Sequence, residues 1–210
     1  MMKMFKPEKS ACRQSGFTMV EALVSLTVLT LAMTGLAGLL VHNSRINKSE
    51  QMKTETQSNA RNTLSVIVQR LRSAGWDPLG SDSFAGITPD TNTGDTMAEI
   101  TMRTDYHTPG TPDTPDGVAS EIDEIVVFRH TNNAIVWDRD DDGTFEILAI
   151  DISNDADGDG TIEDMFVLDD VTAPTRVTVQ VTARSPVVDP VSGDFTRFTV
   201  SSDVVFRKEI

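Results

Sequence analysis

The chain has 210 residues, a formal net charge of −14 at pH 7, and a single cysteine, Cys12. That length is enough for one anchored domain with its own hydrophobic core. The acidity argues against a general nucleic-acid-binding surface, which needs clustered Lys and Arg, and one cysteine excludes a disulfide staple, a cysteine-based zinc site and a cysteine nucleophile beyond the first residues.

Residues 1–16 form a basic tail, with Lys3, Lys6, Lys9 and Arg13 against Glu8. The rest of the chain is therefore more acidic than the whole. An apolar run follows from Phe17 to Val41, and Glu21 is its one formal charge. A membrane-spanning helix needs roughly 20 apolar residues, so the run is long enough. It is too long for the roughly 7–15-residue core of a secretory signal. The small pair Ser15-Gly16 also precedes the run, where a secretory cleavage site would follow it. The basic tail predicts a cytoplasmic N-terminus. A carboxylate inside such a run is expensive in hydrocarbon and marks a functional contact, so Glu21 needs a partner.

Residues 42–59 are polar. Ala60, Leu64, Ile67, Val68, Leu71 and Ala74 then recur at helical spacing and predict one apolar stripe. Gly75 and Pro78 end the helix, giving one long helix from Phe17 to Ala74. Residues 79–96 are rich in Gly, Ser, Asp and Thr and read as a loop. A short strand is expected over Ala98–Arg103, then a loop over 105–120 that holds Pro109, Pro112 and Pro115. Strands are expected over Ile122–His130, Ala134–Trp137 and Thr144–Ile150, with a turn at Thr131-Asn132-Asn133. Val177, Val179, Val181 and Ala183 alternate with polar residues, as in a half-buried strand. Phe198, Val200, Val204 and Phe206 mark one face of a last strand, against Arg197, Thr199 and Asp203. The expected fold is α+β: a long helix whose last turns lie on a mostly antiparallel sheet.

Gly16-Phe17-Thr18-Met19-Val20-Glu21, with the basic leader before it and the apolar helix after it, resembles the processing site of type IV pilins and of the pseudopilins of type II secretion. The resemblance implies a pilin-like fold. It implies that prepilin peptidase cuts between Gly16 and Phe17, that Phe17 becomes N-methylated, and that Glu21 is the assembly glutamate. A new α-amino group and a carboxylate are each poorly tolerated alone in hydrocarbon, and pairing them between subunits would make docking register-specific. The implied organisation is a leader (1–16), a transmembrane and filament-core helix (17–41), an amphipathic continuation (42–78) and a β-rich head (79–210). The implied partners are other pilin subunits, the peptidase, the inner-membrane assembly machinery and the membrane, with the head periplasmic and later on a pilus at the cell surface. Many major pilins carry a proline in this helix. Here Gly35 and Gly38 stand instead, either as a weak point or as small residues for close helix packing.

The pattern Asn59-Ala60-Arg61 through Leu71-Arg72-Ser73-Ala74-Gly75-Trp76 resembles the PilW group of minor pilins and, more loosely, the J-type minor pseudopilin. The paired strands Arg176–Arg184 and Phe195–Arg207 resemble the C-terminal part of PilW-like proteins. Leu36-Ala37-Gly38-Leu39 is similar to the PilV group. The resemblance implies a structural and assembly role. The alternatives are a minor pseudopilin and a calcium-dependent adhesive module at a pilus tip. No phosphate-loop, HExxH or GxSxG motif is present to suggest an enzyme.

Two acidic turns complete the sequence. Asp138, Asp140, Asp142, Thr144 and Glu146 around Gly143 have the spacing of the first half of an EF-hand calcium loop, as do Asp155, Asp157, Asp159, Thr161 and Glu163 around Gly160. Neither has a glutamate at position twelve, where Ala149 and Phe166 stand, and the flanks read as strands. A remaining ligand would come from elsewhere, such as Asp151 or Asp164. Calcium is the one cofactor expected, more strongly at the second turn. The other reading is a pair of solvated turns, with Asp142-Gly143 as a hairpin signal.

Overall fold

The computed structural model describes residues 16–77, 85–89, 99–105, 115, 119, 124–139, 142–170 and 174–206. Residues 1–15 of the basic tail, Pro78, most of the proline-rich loop, Asp140 and Ile122 lie outside these residues, as does the end of the last expected strand at Arg207. One helix, α1, runs from Met19 to Leu71. It begins two residues after Phe17, and Arg72–Gly75 form a turn rather than a last helical turn. Gly75, at φ 77°, supplies the left-handed backbone that ends the helix.

The chain divides into two compact units, Met1–Arg45 and Ile46–Ile210. In the first, every described residue is exposed. Leu23, Leu26, Leu29 and Leu36 show more than half of their surface. Among the described residues this stretch has no core of its own. α1 is long and apolar enough over this stretch to cross a membrane.

The second unit buries a face of α1 made by Ser49, Met52, Thr56, Ala60, Thr63, Ile67 and Leu71. Those positions step by three or four residues, so they form one stripe. The stripe packs into a core with strand residues that include Phe128, Ile135 and Phe166. The expected stripe from Ala60 onward is present. It extends back into the stretch that reads as polar, because Ser49 and Thr56 bury bonded hydroxyls. Ser49 Oγ donates to Asp189 Oδ2 at 2.6 Å, and Thr56 Oγ1 donates to the Met52 carbonyl at 2.8 Å.

Two antiparallel sheets replace the single sheet expected. The first has the order β1 (Ile87–Pro89), β2 (Glu99–Arg103), β3 (Ile125–Thr131), β4 (Ala134–Asp138), β5 (Glu146–Ile150). The second has the order β6 (Phe166–Leu168), β7 (Arg176–Val188), β8 (Phe195–Val205). β1 falls inside the stretch read as a loop, and it forms because Ile87 is buried and pairs with Met102 of β2. β3 and β4 meet in a two-residue turn with Asn132 at φ 49° and Asn133 at φ 61°. Positive φ at both central residues matches the twist of the flanking strands. In β7, Val177, Val179, Val181 and Ala183 are fully buried, as their alternation predicts. The two sheets are joined where Ile152 makes a single bridge to Ala183.

Arginine–aromatic stacks line this unit. Trp137 of β4 lies 6.2 Å from the Phe128 ring, with the Arg70 guanidinium 5.9 Å and the Arg139 guanidinium 5.4 Å from its own centroid. The architecture is α+β, with a long apolar N-terminal helix and antiparallel sheets, consistent with a pilin-like fold.

Candidate functional site

Gly16 and Phe17 lie outside regular secondary structure, just before α1. The space where a Gly16 side chain would stand is open to 4 Å, and Phe17 is 73% exposed. The Gly16–Phe17 peptide is therefore accessible and outside the helix, as a protease substrate has to be.

Thr18 starts the helix. Its Oγ1 accepts a hydrogen bond from the Glu21 backbone N–H at 3.3 Å, and its carbonyl accepts from the Ala22 N–H at 3.1 Å. Thr18-Met19-Val20-Glu21 has the capping-box spacing, a polar cap followed three residues later by Glu. That signal is legible in the sequence. It fixes the first helical residue two places after Phe17. It also sets Glu21 in the first turn, where the helix N-terminus favours a negative charge. Further along, the hydroxyls of Ser25, Thr27, Thr30 and Thr34 each donate to a carbonyl three or four residues back. These hydroxyls are thus satisfied inside the helix, as hydrocarbon demands.

The second acidic turn hangs from the seam between the sheets. Asp151 at φ 60° and Asn154 at φ 48° bend the chain there. Asn154 clamps the base of the turn. Its Oδ1 accepts from the Thr182 N–H at 3.1 Å and its Nδ2 donates to the Glu163 carbonyl at 2.9 Å. Its own carbonyl accepts from the Glu163 N–H at 2.7 Å. Within this frame, carboxylate oxygens of Asp155, Asp157 and Asp159 lie within 4.8 Å of one another. Asp155 is buried, and the other two are exposed. Each carboxylate accepts a backbone N–H two or three residues on: Gly158 for Asp155, Asp159 for Asp157, and Thr161 for Asp159. The N–H of Thr161, then its hydroxyl, holds the Asp159 carboxyl below the usual carboxylate range. Gly158 has φ 84°, and a side chain there would meet the Arg197 guanidinium carbon at 2.7 Å. That guanidinium places a fixed positive charge against the turn.

Not every expected ligand joins the three aspartates. The Glu163 carboxylate accepts from Gln180 Nε2 at 3.1 Å instead. Thr161 is at the turn through its N–H, while Asp151 lies in the bend before it. In the first turn Asp138 is buried and accepts from the Gly143 N–H at 2.8 Å. Asp142 accepts from the Thr144 N–H at 2.7 Å, and Glu146 pairs with Arg139 at 3.3 Å. Asp140 lies outside the described residues, so that set is incomplete.

Residues 12–37 match the family described as the prokaryotic N-terminal methylation motif. Gly16, Phe17 and Glu21 all lie inside that match. No curated protein and no solved structure matches the chain. The motif implies processing by a peptidase and assembly with other pilins in general, and with the apolar helix it supports anchoring in a membrane. The matched motif and the α+β fold behind it together support a type IV pilin or pseudopilin.

Proposed function

We propose that this chain is a minor type IV pilin of the PilW kind, a structural subunit of pilus assembly rather than an enzyme. It is cut between Gly16 and Phe17, methylated on Phe17, held in the inner membrane with its head periplasmic, and passed to a pilus. One observation carries the reading. The prepilin-type motif ends in an apolar helical run, exposed throughout, whose one charge is Glu21. Apolar surface of that extent needs lipid or other helices around it. Glu21 needs a cation, and the new α-amino group of a neighbouring subunit is one.

Intact-mass measurement tests the processing: the mature chain begins at methylated Phe17. A product that keeps residues 1–16 in cells with active prepilin peptidase refutes it. Glu21→Ala is expected to insert into the membrane and to be lost from filaments, and normal incorporation refutes the charge pairing. The rival reading, a minor pseudopilin of type II secretion, shares this N-terminus. The neighbouring genes separate the two.

A second reading rests on the convergence of Asp155, Asp157 and Asp159. Like charges at about 4 Å repel by about 1 kcal/mol per pair even in water, and a bound calcium ion removes that repulsion. In this reading the second turn is a calcium site that staples a head without disulfides, as a calcium-dependent adhesive module would use. Calcium titration of the full chain, followed by thermal midpoint, tests it. No shift at about millimolar calcium, the weak end of such sites, refutes it.

A further inference from the structure

β8 is an unusual edge. It is 11 residues long, pairs with β7 on one side, and has no strand on the other among the described residues. Edge strands offer unpaired backbone donors and acceptors, and proteins blunt them by shortness, Pro, bulges or cover. The other edges here are blunted. β1 and β6 have three residues each, and β1 ends in Pro89. β5 has five residues, and Asn59 Nδ2 covers the Ile150 carbonyl at 2.8 Å. β8 contains no proline and keeps an unbroken register with β7 from Arg197 through Val205, with one register shift between Phe195 and Arg197.

The strand is also complementary to itself. Its charged residues are Arg197 and Asp203. When two copies lie antiparallel with full overlap, Phe195 faces Val205, and Val200 faces Val200. In that one register Arg197 of each copy faces Asp203 of the other, Thr199 faces Ser201, and Thr196 faces Val204. Sliding the copies to centre on Arg197 or on Asp203 sets like charges opposite each other and shortens the overlap. Longest overlap and charge matching therefore select the same register. Thr199, Ser201, Asp203 and Val205 are all exposed on the outer face. Within its own chain the Arg197 side chain lies against Gly158 and is 17% exposed. Its Nε is buried without a hydrogen-bond partner and Nη1 reaches Asp194 only at 3.9 Å, while Asp203 Oδ1 accepts from Thr178 Oγ1 at 2.7 Å and its other oxygen is left to the partner copy.

We propose that β8 is an association edge through which two copies of this chain pair antiparallel, centred on Val200, with two Arg197–Asp203 ion pairs. The contact is two-fold symmetric, so each residue is used twice. Main-chain hydrogen bonds supply the attraction, and the charges choose the register. It is independent of processing at Gly16.

The test uses the full chain in a Cys12→Ser background. Chains with Thr199→Cys and chains with Ser201→Cys are co-expressed and oxidised in membranes. Directly opposite residues on antiparallel strands have Cα atoms about 4.5–5.5 Å apart, within disulfide reach. The expected result is a mixed-disulfide dimer in excess of either variant alone. In that cross-linking background, Arg197→Asp or Asp203→Arg is expected to cut the yield about tenfold. Both reversals in one chain restore it. The two residues are six positions apart on one strand, about 20 Å, so they cannot rescue each other within a chain. Absence of the mixed dimer overturns the proposal, and so does a double reversal that folds without restoring it. Arg197 also packs on Gly158, so a thermal melt accompanies each variant. Where Arg197→Asp does not fold, exposed Asp203→Arg decides alone, and an undiminished yield overturns the proposal.

Discussion

Ile67→Ala and Leu29→Ala remove the same number of carbon atoms from one helix, yet they are expected to behave oppositely. Ile67 is fully buried in the core of the Ile46–Ile210 unit, and Leu29 is 54% exposed. Burying a side chain of this size contributes about 1.5–3 kcal/mol. Truncating it also leaves a cavity, so Ile67→Ala is expected to cost about 2–5 kcal/mol. For a unit of this size 1 kcal/mol moves the thermal midpoint by about 2–4 °C, which gives a fall of roughly 5–15 °C. Leu29→Ala is expected to leave that midpoint within about 1 °C, because Leu29 lies outside the core of the described residues. The assay is thermal unfolding of the full chain in detergent, followed by near-ultraviolet circular dichroism. A shift below about 2 °C for Ile67→Ala refutes the buried stripe on α1. A comparable shift for Leu29→Ala refutes the assignment of the apolar run to lipid or to other helices.

Gly158→Ala is expected to destabilise the head by about 1 kcal/mol, from its positive φ, and further because the new Cβ displaces the Arg197 guanidinium. Gly143→Ala has the same φ and open space, so thermal melts should show a smaller fall for it. Asn154→Ala is expected to cost about 2–3 kcal/mol in a denaturant titration, since it orphans the buried Thr182 N–H; a loss under about 0.5 kcal/mol refutes the clamp. Acid is expected to weaken the head through Asp169 and Asp189. The Thr175 hydroxyl and the Arg176 N–H depress the first, and the Ser49 hydroxyl and the Val191 N–H depress the second. A depressed carboxyl contributes stability above its ordinary pKa of 3.8 and loses it as pH falls through the folded value. The midpoint should thus fall below about pH 4, less steeply in Asp169→Asn, and an unchanged midpoint down to about pH 2.5 refutes the linkage.

Linear patterns were the readable part of this chain. The processing stretch is six consecutive residues, and the alternation in β7 is local to one strand. The buried helical stripe was half hidden. Ser49 and Thr56 look solvated in a hydropathy pattern, but a hydroxyl enters a core once it has a partner. Ser49 finds Asp189 from 140 positions away. The second sheet is hidden from the sequence for a similar reason. The change of sheet depends on positive φ at Asp151 and Asn154, which neither hydropathy nor spacing records. In the acidic turn, carboxylates at alternate positions converge, and that much is local to the spacing. The diversion of Glu163 to Gln180 is a contact across 17 positions, invisible to a pattern within the turn.

The stack around Trp137 gives the molecule an optical gauge. Its indole sits on a strand, with the guanidinium of helix residue Arg70 over its ring. Lifting that helix from the sheet removes the cation from one face and admits water to it, so the emission shifts to the red. The other indole, Trp76, is 55% exposed and contributes an emission already like that of water. With Trp76→Phe in place, the colour of one residue reports in real time whether helix and sheet are docked, with no added label.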